Sequence, residues 1–237
     1  MCIRDSYNPG DDVRFIDWKL SAKTNTTFVK TFEEERNVEI HIFLDLSETM
    51  LTGFKGVSKL QASIELTCLL YLLADKSKDR VSVIIVHEKP VILPLASGHE
   101  GIVLFISQLQ KIGVLNHKGK VNFDYDFNQN HDENKKLGLL KNLVARNKQV
   151  IIFSDLARFG DTETLNKLLY RPNLHCFVLQ SPLDGAKKLP FSIFGRKNGE
   201  LKSIRLNKNE QETELKGRYK KINVKDRYLE AFVREML

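Results

Sequence analysis

Hydrophobic and polar positions along this chain repeat with two different periods. Val38, Ile40, Ile42 and Leu44 alternate with Glu39, His41, Phe43 and Asp45, and the stretch turns apolar on both faces toward its end, which predicts a buried strand ending at Asp45. After a loop containing Gly53 and Gly56, Ser58 can cap a helix reaching Lys78, with Leu60, Ile64, Cys68 and Tyr71 on one face. That helix is apolar nearly all round toward its middle, so it should be sandwiched. Residues 81–86 form a β-branched run interrupted by Ser82, and 90–95, beyond His87, read as a hairpin partner or edge extension. Helical spacing returns at Ile102, Phe105, Ile106 and Leu109, fails between Gly113 and Asn134, and resumes at Leu137, Leu140, Leu143 and Val144. Residues 149–154 predict a buried strand, 162–169 a short helix and 174–179 another strand.

Strands alternating with helices predict an α/β fold with a doubly wound, mostly parallel sheet covered by helices on both faces. Ligands of such sheets sit beyond the carboxyl ends of the strands, which directs attention to the loops after Asp45 and Asp155. Beyond Pro182 the pattern changes to Gly185, Pro190, Gly195 and Gly199 among charges, then a strand-like 200–206 and a final helix from about Asp226, with Tyr228, Phe232 and Met236 in line. The chain thus divides into an upstream segment (1–36), a main domain (37–182) and a C-terminal appendage (183–237) packed on that domain.

Composition narrows the class without changing this picture. With 42% hydrophobic and 28% charged residues, 13 Gly and 6 Pro, the 237-residue chain is neither collagen-like nor of low complexity. Its longest apolar run, residues 68–74, falls short of the roughly 18 residues of a bilayer span. No apolar signal-peptide core follows Met1, and the three cysteines, Cys2, Cys68 and Cys176, suit neither a disulfide framework nor a zinc site, so a reducing compartment is expected. The net charge of +7 is spread over short groups such as Lys135-Lys136, Lys187-Lys188 and residues 218–221 without interleaved aromatics, and a solvated surface is favoured over nucleic-acid binding. The six histidines, His41, His87 and His175 among them, are unclustered and read as packed or rim residues.

The chemistry lies at the first strand end. Asp45, Ser47 and Thr49 place one carboxylate and two hydroxyls at alternate positions, and Asp155 closes a later strand at the same predicted edge. Those are hard oxygen donors, the kind preferred by magnesium. The alternative is structural: Ser47 and Thr49 cap the turn, and Asp45 accepts backbone N–H groups. Upstream, Pro9-Gly10-Asp11-Asp12 reads as a turn, Arg14, Asp17 and Arg36 as ion-pair partners, and Trp18 as a large apolar anchor.

The D-x-S-x-[ST] loop at Asp45, Ser47 and Thr49, with Asp155, resembles the metal-ion-dependent adhesion site of von Willebrand factor A domains. Residues 7–23, from Tyr7-Asn8-Pro9-Gly10-Asp11-Asp12 to Ser21-Ala22-Lys23, followed by Phe32-Glu33-Glu34-Glu35-Arg36, resemble the signature of the bacterial domain of unknown function 58 family. The resemblance runs to about Pro182. It implies a von Willebrand factor A-like fold, a cytoplasmic bacterial setting and association with a MoxR-type AAA+ ATPase. Because family members continue upstream of this signature, and residues 1–6 look like an adapter-derived leader, the chain is expected to be a truncated gene product whose full-length form can carry an anchor. The resemblance also implies a metal site of Asp45, Ser47, Thr49 and Asp155, holding Mg2+ or Mn2+ and completed by a partner's carboxylate. The family's second-loop threonine should fall near Gly119-Lys120-Val121-Asn122, where no threonine stands. Either Asn122 lends its amide oxygen or Val121 takes the position and water replaces the ligand, and aligning Gly119 with the family's glycine favours the weaker, Val121 register.

Enzyme readings find little support. Asp45-x-Ser47 lacks the second acid of a D-x-D-x-T phosphatase loop, and the G-x-S-x-G, P-loop and H-E-x-x-H motifs are absent. The expected function is a non-enzymatic protein-interaction module with a degenerate adhesion site; the alternatives are a metal-independent scaffold and a phosphatase-like enzyme using Asp45.

Overall fold

The structure, a computed structural model, describes residues 2–8, 12–24, 26–32, 37–86, 89–127, 132–146, 148–182, 184, 193–197, 200–204, 215–225 and 227–236. Several features singled out in the sequence lie outside these residues: 9–11, 33–36, His87, Gly185, Lys187-Lys188, Pro190, Gly199, Leu206 and Asp226. The chain forms two compact units, Met1–Asn37 and Val38–Leu237.

In the first unit, β1 (Cys2–Ser6) pairs antiparallel with β2 (Phe28–Phe32), and α1 (Trp18–Thr24) lies between them in sequence. Asp12 accepts from the Arg14 backbone amide and pairs with its guanidinium at 2.6 Å, while Asp17 accepts from the Leu20 amide at 3.2 Å and so caps α1. These acids are therefore turn and cap residues. Trp18, expected as a buried anchor, is 69% exposed; it opens α1 on the outward side, and Ile16 and Val29 are the residues buried instead.

The second unit is built on a six-stranded sheet. Its strands are β3 (Glu39–Leu44), β6 (Arg80–Ile85), β7 (Val91–Ile92), β8 (Gln149–Ser154), β9 (Leu174–Gln180) and β12 (Lys220–Asn223), and the spatial order is β12-β9-β8-β3-β6-β7. All neighbours are parallel except β7, which turns back on β6. Numbering these six in chain order gives 3-2-1-4-5-6, the doubly wound order that reverses direction between the first and fourth strands, here β3 and β8. Among the described residues, the remaining strands of this unit form two small hairpins, β4 (Gly53–Phe54) with β5 (Val57–Ser58) and β10 (Ile193–Lys197) with β11 (Glu200–Ile204).

Helices cover both faces. On one, α2 (Lys59–Ser77) is sandwiched between the sheet and α3 (Gly98–Lys111), with Leu60, Ile64, Leu66 and Tyr71 fully or almost fully buried against Ile42, Leu44, Val83 and Phe153. On the other, α4 (Glu133–Ala145) and α5 (Thr162–Leu169) bury Leu137, Leu140, Leu165 and Leu169 against Phe43, Ile152 and Cys176. Each fully buried aliphatic side chain of this kind contributes roughly 1.5–3 kcal/mol. The α2–α3 contact needs a residue without a side chain: a Cβ on Gly101 would stand 2.2 Å from a ring carbon of the buried Tyr71. Gly101→Ala should overpack that contact and cost about 1–3 kcal/mol, read as a lower denaturant midpoint with an unchanged slope.

The C-terminal segment is more than an appendage. β12 hydrogen-bonds in parallel register beside β9, and α6 (Tyr228–Met236) buries Phe232 against Phe153 and Phe177, at ring separations of 5.6 and 4.9 Å. The segment thus completes the sheet and one of its two cores. The irregular stretch after α3 is also less open than its polarity suggests, since Val114, Leu115, Val121 and Phe127 are buried and Leu115 bridges Val121.

Candidate functional site

The site grows out of strand register. Leu44 pairs with Phe153, so Asp45 follows β3 beside Ser154 at the end of β8, and Asp155 lies one residue beyond. Successive side chains of a strand point to opposite faces. Asp45 therefore continues the row of Phe43 and shares its face with Ile152 and Ser154, the face covered by α4 and α5. Asp155 continues the row of Ile151 and Phe153, the face covered by α2. Two carboxylates at the switch point are thus sent to opposite sides of the sheet.

Each meets a lysine from the helix on its side. Asp45 is fully buried, and its Oδ1 accepts from the Ser47 backbone amide at 3.0 Å, from the Ser47 hydroxyl, and from Lys136 Nζ at 2.8 Å. Its Oδ2 accepts from the Ser154 hydroxyl at 2.6 Å. Lys136 also donates to Ser47 Oγ at 2.7 Å and lies 4.9 Å from the centre of the Phe159 ring, within cation–π range. On the other face, Asp155 Oδ1 accepts from Thr49 Oγ1 at 3.1 Å and from the Ala157 amide at 3.1 Å, while Oδ2 accepts from Lys59 Nζ at 2.7 Å. Lys59 reaches Asp184 as well, at 3.2 Å. As the first residue of α2, behind the Ser58 cap, Lys59 brings a cation to the positive end of a helix dipole, and the two carboxylates offset that penalty. The loop after β8 closes through Leu156, which adopts a left-handed backbone (φ 58°) and donates its amide to Ser154 Oγ at 2.9 Å.

Four of the residues singled out in the sequence, Asp45, Ser47, Thr49 and Asp155, are therefore gathered at one sheet edge, in two hydrogen-bonded sets. Asn122 is not joined to either. Its Nδ2 donates to the Gly113 carbonyl at 3.0 Å and its Oδ1 accepts from the Asp124 amide at 3.1 Å, so the carboxamide closes its own loop as an Asx turn. Val121, the other candidate register, is packed in the core with Leu115 and Phe127. The carboxamide of Asn122 is thus engaged within its own loop and hydrogen-bonds to neither carboxylate set.

Sequence reasoning missed Lys59 and placed Lys136, with Lys135, on a solvated surface, whereas Lys136 is buried against Asp45. Lys59 has a faint signal, a cation directly after a helix cap, and Lys136 a clearer one, since it shares the buried face of α4 with Leu140 and Val144 at helical spacing. Lys136 and Lys59 are only 2% and 3% exposed, so both carry their charge inside the protein. The donors consequently do not fit a divalent ion as they stand. Asp45 and Ser47 are committed to one ammonium and Asp155 to another, and among the described residues no group of three or more His, Cys, Asp or Glu side chains gathers as a metal cluster.

Other reactive groups are quiet. Burial pushes the Cys176 thiol up to about 12, and burial, followed by nearby Glu65, pushes Cys68 up to about 11. Neither is an activated thiolate. Burial, followed by neighbouring lysines, lowers the pKa of both His41 and His175, and these two side chains stand apart from the Asp45 set.

Comparison with known proteins gives the family. The description "Protein of unknown function DUF58" matches residues 4–192. The chain belongs to the DUF58 family. No curated protein matches this DUF58 chain. Solved structures similar to it include the conserved hypothetical protein BatB from Bacteroides thetaiotaomicron (17% identity, 84% of this chain and 97% of that one, TM-score 0.48). An aerotolerance-related membrane protein from Bacteroides fragilis is also similar (17%, 83% and 96%, 0.45), as is the SpRpn10 VWA domain (11%, 84% and 95%, 0.46). The doubly wound fold of the DUF58 chain, expected from its sequence pattern, is read from its own sheet order. No helix among its described residues is long and apolar enough to cross a membrane.

Proposed function

We propose that this DUF58 chain is a non-enzymatic, cytoplasmic protein-interaction module that offers the switch-point edge of its sheet to a protein partner, working as an adaptor with a MoxR-type AAA+ ATPase. The observation that carries the reading is the neutralisation of both switch-point carboxylates from within, Asp45 by Lys136 and Asp155 by Lys59. A nucleophilic carboxylate has to present an oxygen to its substrate. Asp45 is fully buried, with four hydrogen bonds on its two oxygens, and Ser47 stands where a phosphatase would need its second acid. What this edge presents is a pinned surface in which exposed residues such as Glu48 and Arg158 flank the closed site. The AAA+ partner rests on the family resemblance alone.

The test uses a purified MoxR-type ATPase from the same genome and the tagged chain. Wild type should retain the ATPase, and a Glu48→Lys/Arg158→Glu variant, folded by circular dichroism, should retain it about tenfold less. Equal retention by both would move the docking face elsewhere, and no retention by wild type would remove the ATPase as partner.

A further inference from the structure

The resemblance assigns Asp45, Ser47 and Thr49 to a divalent ion, yet the cation bonded to two of these residues belongs to the protein. We infer that the Lys136 ammonium is the built-in cation of this site, so that the site works without Mg2+ or Mn2+ and opens to them only when Lys136 is removed. This deepens the interaction reading and rests on it for its biological sense, but its test involves no partner, so the two can fail separately.

An ammonium has three N–H donors and no acceptor. Those of Lys136 meet Asp45 Oδ1 at 2.8 Å, Ser47 Oγ at 2.7 Å and the face of Phe159 at 4.9 Å to its centre, which leaves none for a partner's carboxylate. The lone pairs that would bind magnesium at about 2.0–2.1 Å are the ones these N–H groups occupy. Charge argues the same way. Asp45 is already matched by one positive charge, and Asp155, the second carboxylate of the expected site, is matched by Lys59. A divalent ion entering beside Asp45 would meet the repulsion of Lys136, and the surplus carboxylate of the three, Asp184, is held on the Lys59 side by Lys59 and by the Ser181 amide. Lys136 is held in place by the buried face of α4, so its charge is tethered and cannot be diluted or chelated away.

Removing the ammonium should uncover a hard-oxygen cavity formed by Asp45, Ser47 and Ser154. The full chain would be compared with Lys136→Ala and with the uncharged pair Asp45→Asn/Lys136→Met, each in chelator and in millimolar Mn2+ or Mg2+, by thermal melting and by the free-Mn2+ paramagnetic resonance signal. Wild type should neither bind Mn2+ nor shift its Tm. Lys136→Ala should melt lower in chelator, recover by several degrees in Mn2+ and bind at least about tenfold more of it than wild type. The double variant should stay silent toward metal. Site-stoichiometric Mn2+ binding by wild type would overturn the inference, as would a Lys136→Ala protein that is as stable as wild type and indifferent to metal. If Lys136→Ala does not fold in either buffer, the wild-type arm decides: no bound Mn2+ upholds the inference and bound Mn2+ refutes it.

Discussion

Asp45→Ala is expected to lower stability by about 3–5 kcal/mol, among the largest losses available to a single substitution in this chain. The substitution leaves the Lys136 ammonium, 2% exposed, without its counter-charge, and strips an acceptor from the Ser47 and Ser154 hydroxyls together. A buried pair need not be strongly stabilising relative to an apolar pair, but breaking one from a single side is costly because the orphaned charge stays in a poorly solvated place. For a chain of this size the loss corresponds to a fall in Tm of roughly 10 °C. Circular dichroism against temperature and urea measures it. A loss below about 1 kcal/mol would mean that Lys136 reaches water once Asp45 is gone, and the two would then behave as a surface pair. Asp45→Asn separates charge from shape: it keeps oxygen for Ser154 or Ser47 and should fall between wild type and Asp45→Ala.

Phe232→Ala is expected to cost about 3–5 kcal/mol by cavity formation. Phe232 is fully buried and meets Phe153 and Phe177 edge to face, which adds to the area it removes from water. Its effect should reach the site edge as well as the C-terminal segment, because Phe153 directly precedes Ser154 and Asp155 on β8. The same melting experiments read the loss. Hydrogen exchange should show faster exchange of the amides that tie β12 to β9, such as the bond from Val224 to the Gln180 carbonyl. A Phe232→Ala protein with wild-type stability would show that the packing of α6 through Phe232 adds nothing to the stability of this core.

Much of this architecture can be read along the chain because periodicity is local. The alternation of Val38 to Asp45 specifies both a strand and the two faces its side chains occupy, and the β-branched runs near 81–86 and 149–154 specify strands buried on both sides. Helices α2 to α5 follow from apolar spacing, and the start of α2 from the Ser58 cap. β12 escaped notice because Lys220-Lys221-Ile222-Asn223 buries only Ile222, a single position that carries no period. Trp18 misled for the opposite reason: a large apolar side chain raises the expectation of burial, and only packing decides whether a partner surface is there.

At the site the division is sharper. The sequence by itself determined that Asp45 and Asp155 end buried strands and that Ser47 and Thr49 follow the first of them, and parallel pairing then brings all four to one edge. Which cation they meet was decided by tertiary structure. Lys136 lies 91 residues from Asp45, and Lys59 lies 96 from Asp155; each meets its carboxylate because the alternating pleat sends Asp45 toward α4 and Asp155 toward α2. A lysine written on a helix face carries no local mark of the carboxylate it will neutralise. Its partner is fixed only when two helices dock on opposite sides of one sheet, and there the cost of leaving either charge buried and unpaired selects the pairing.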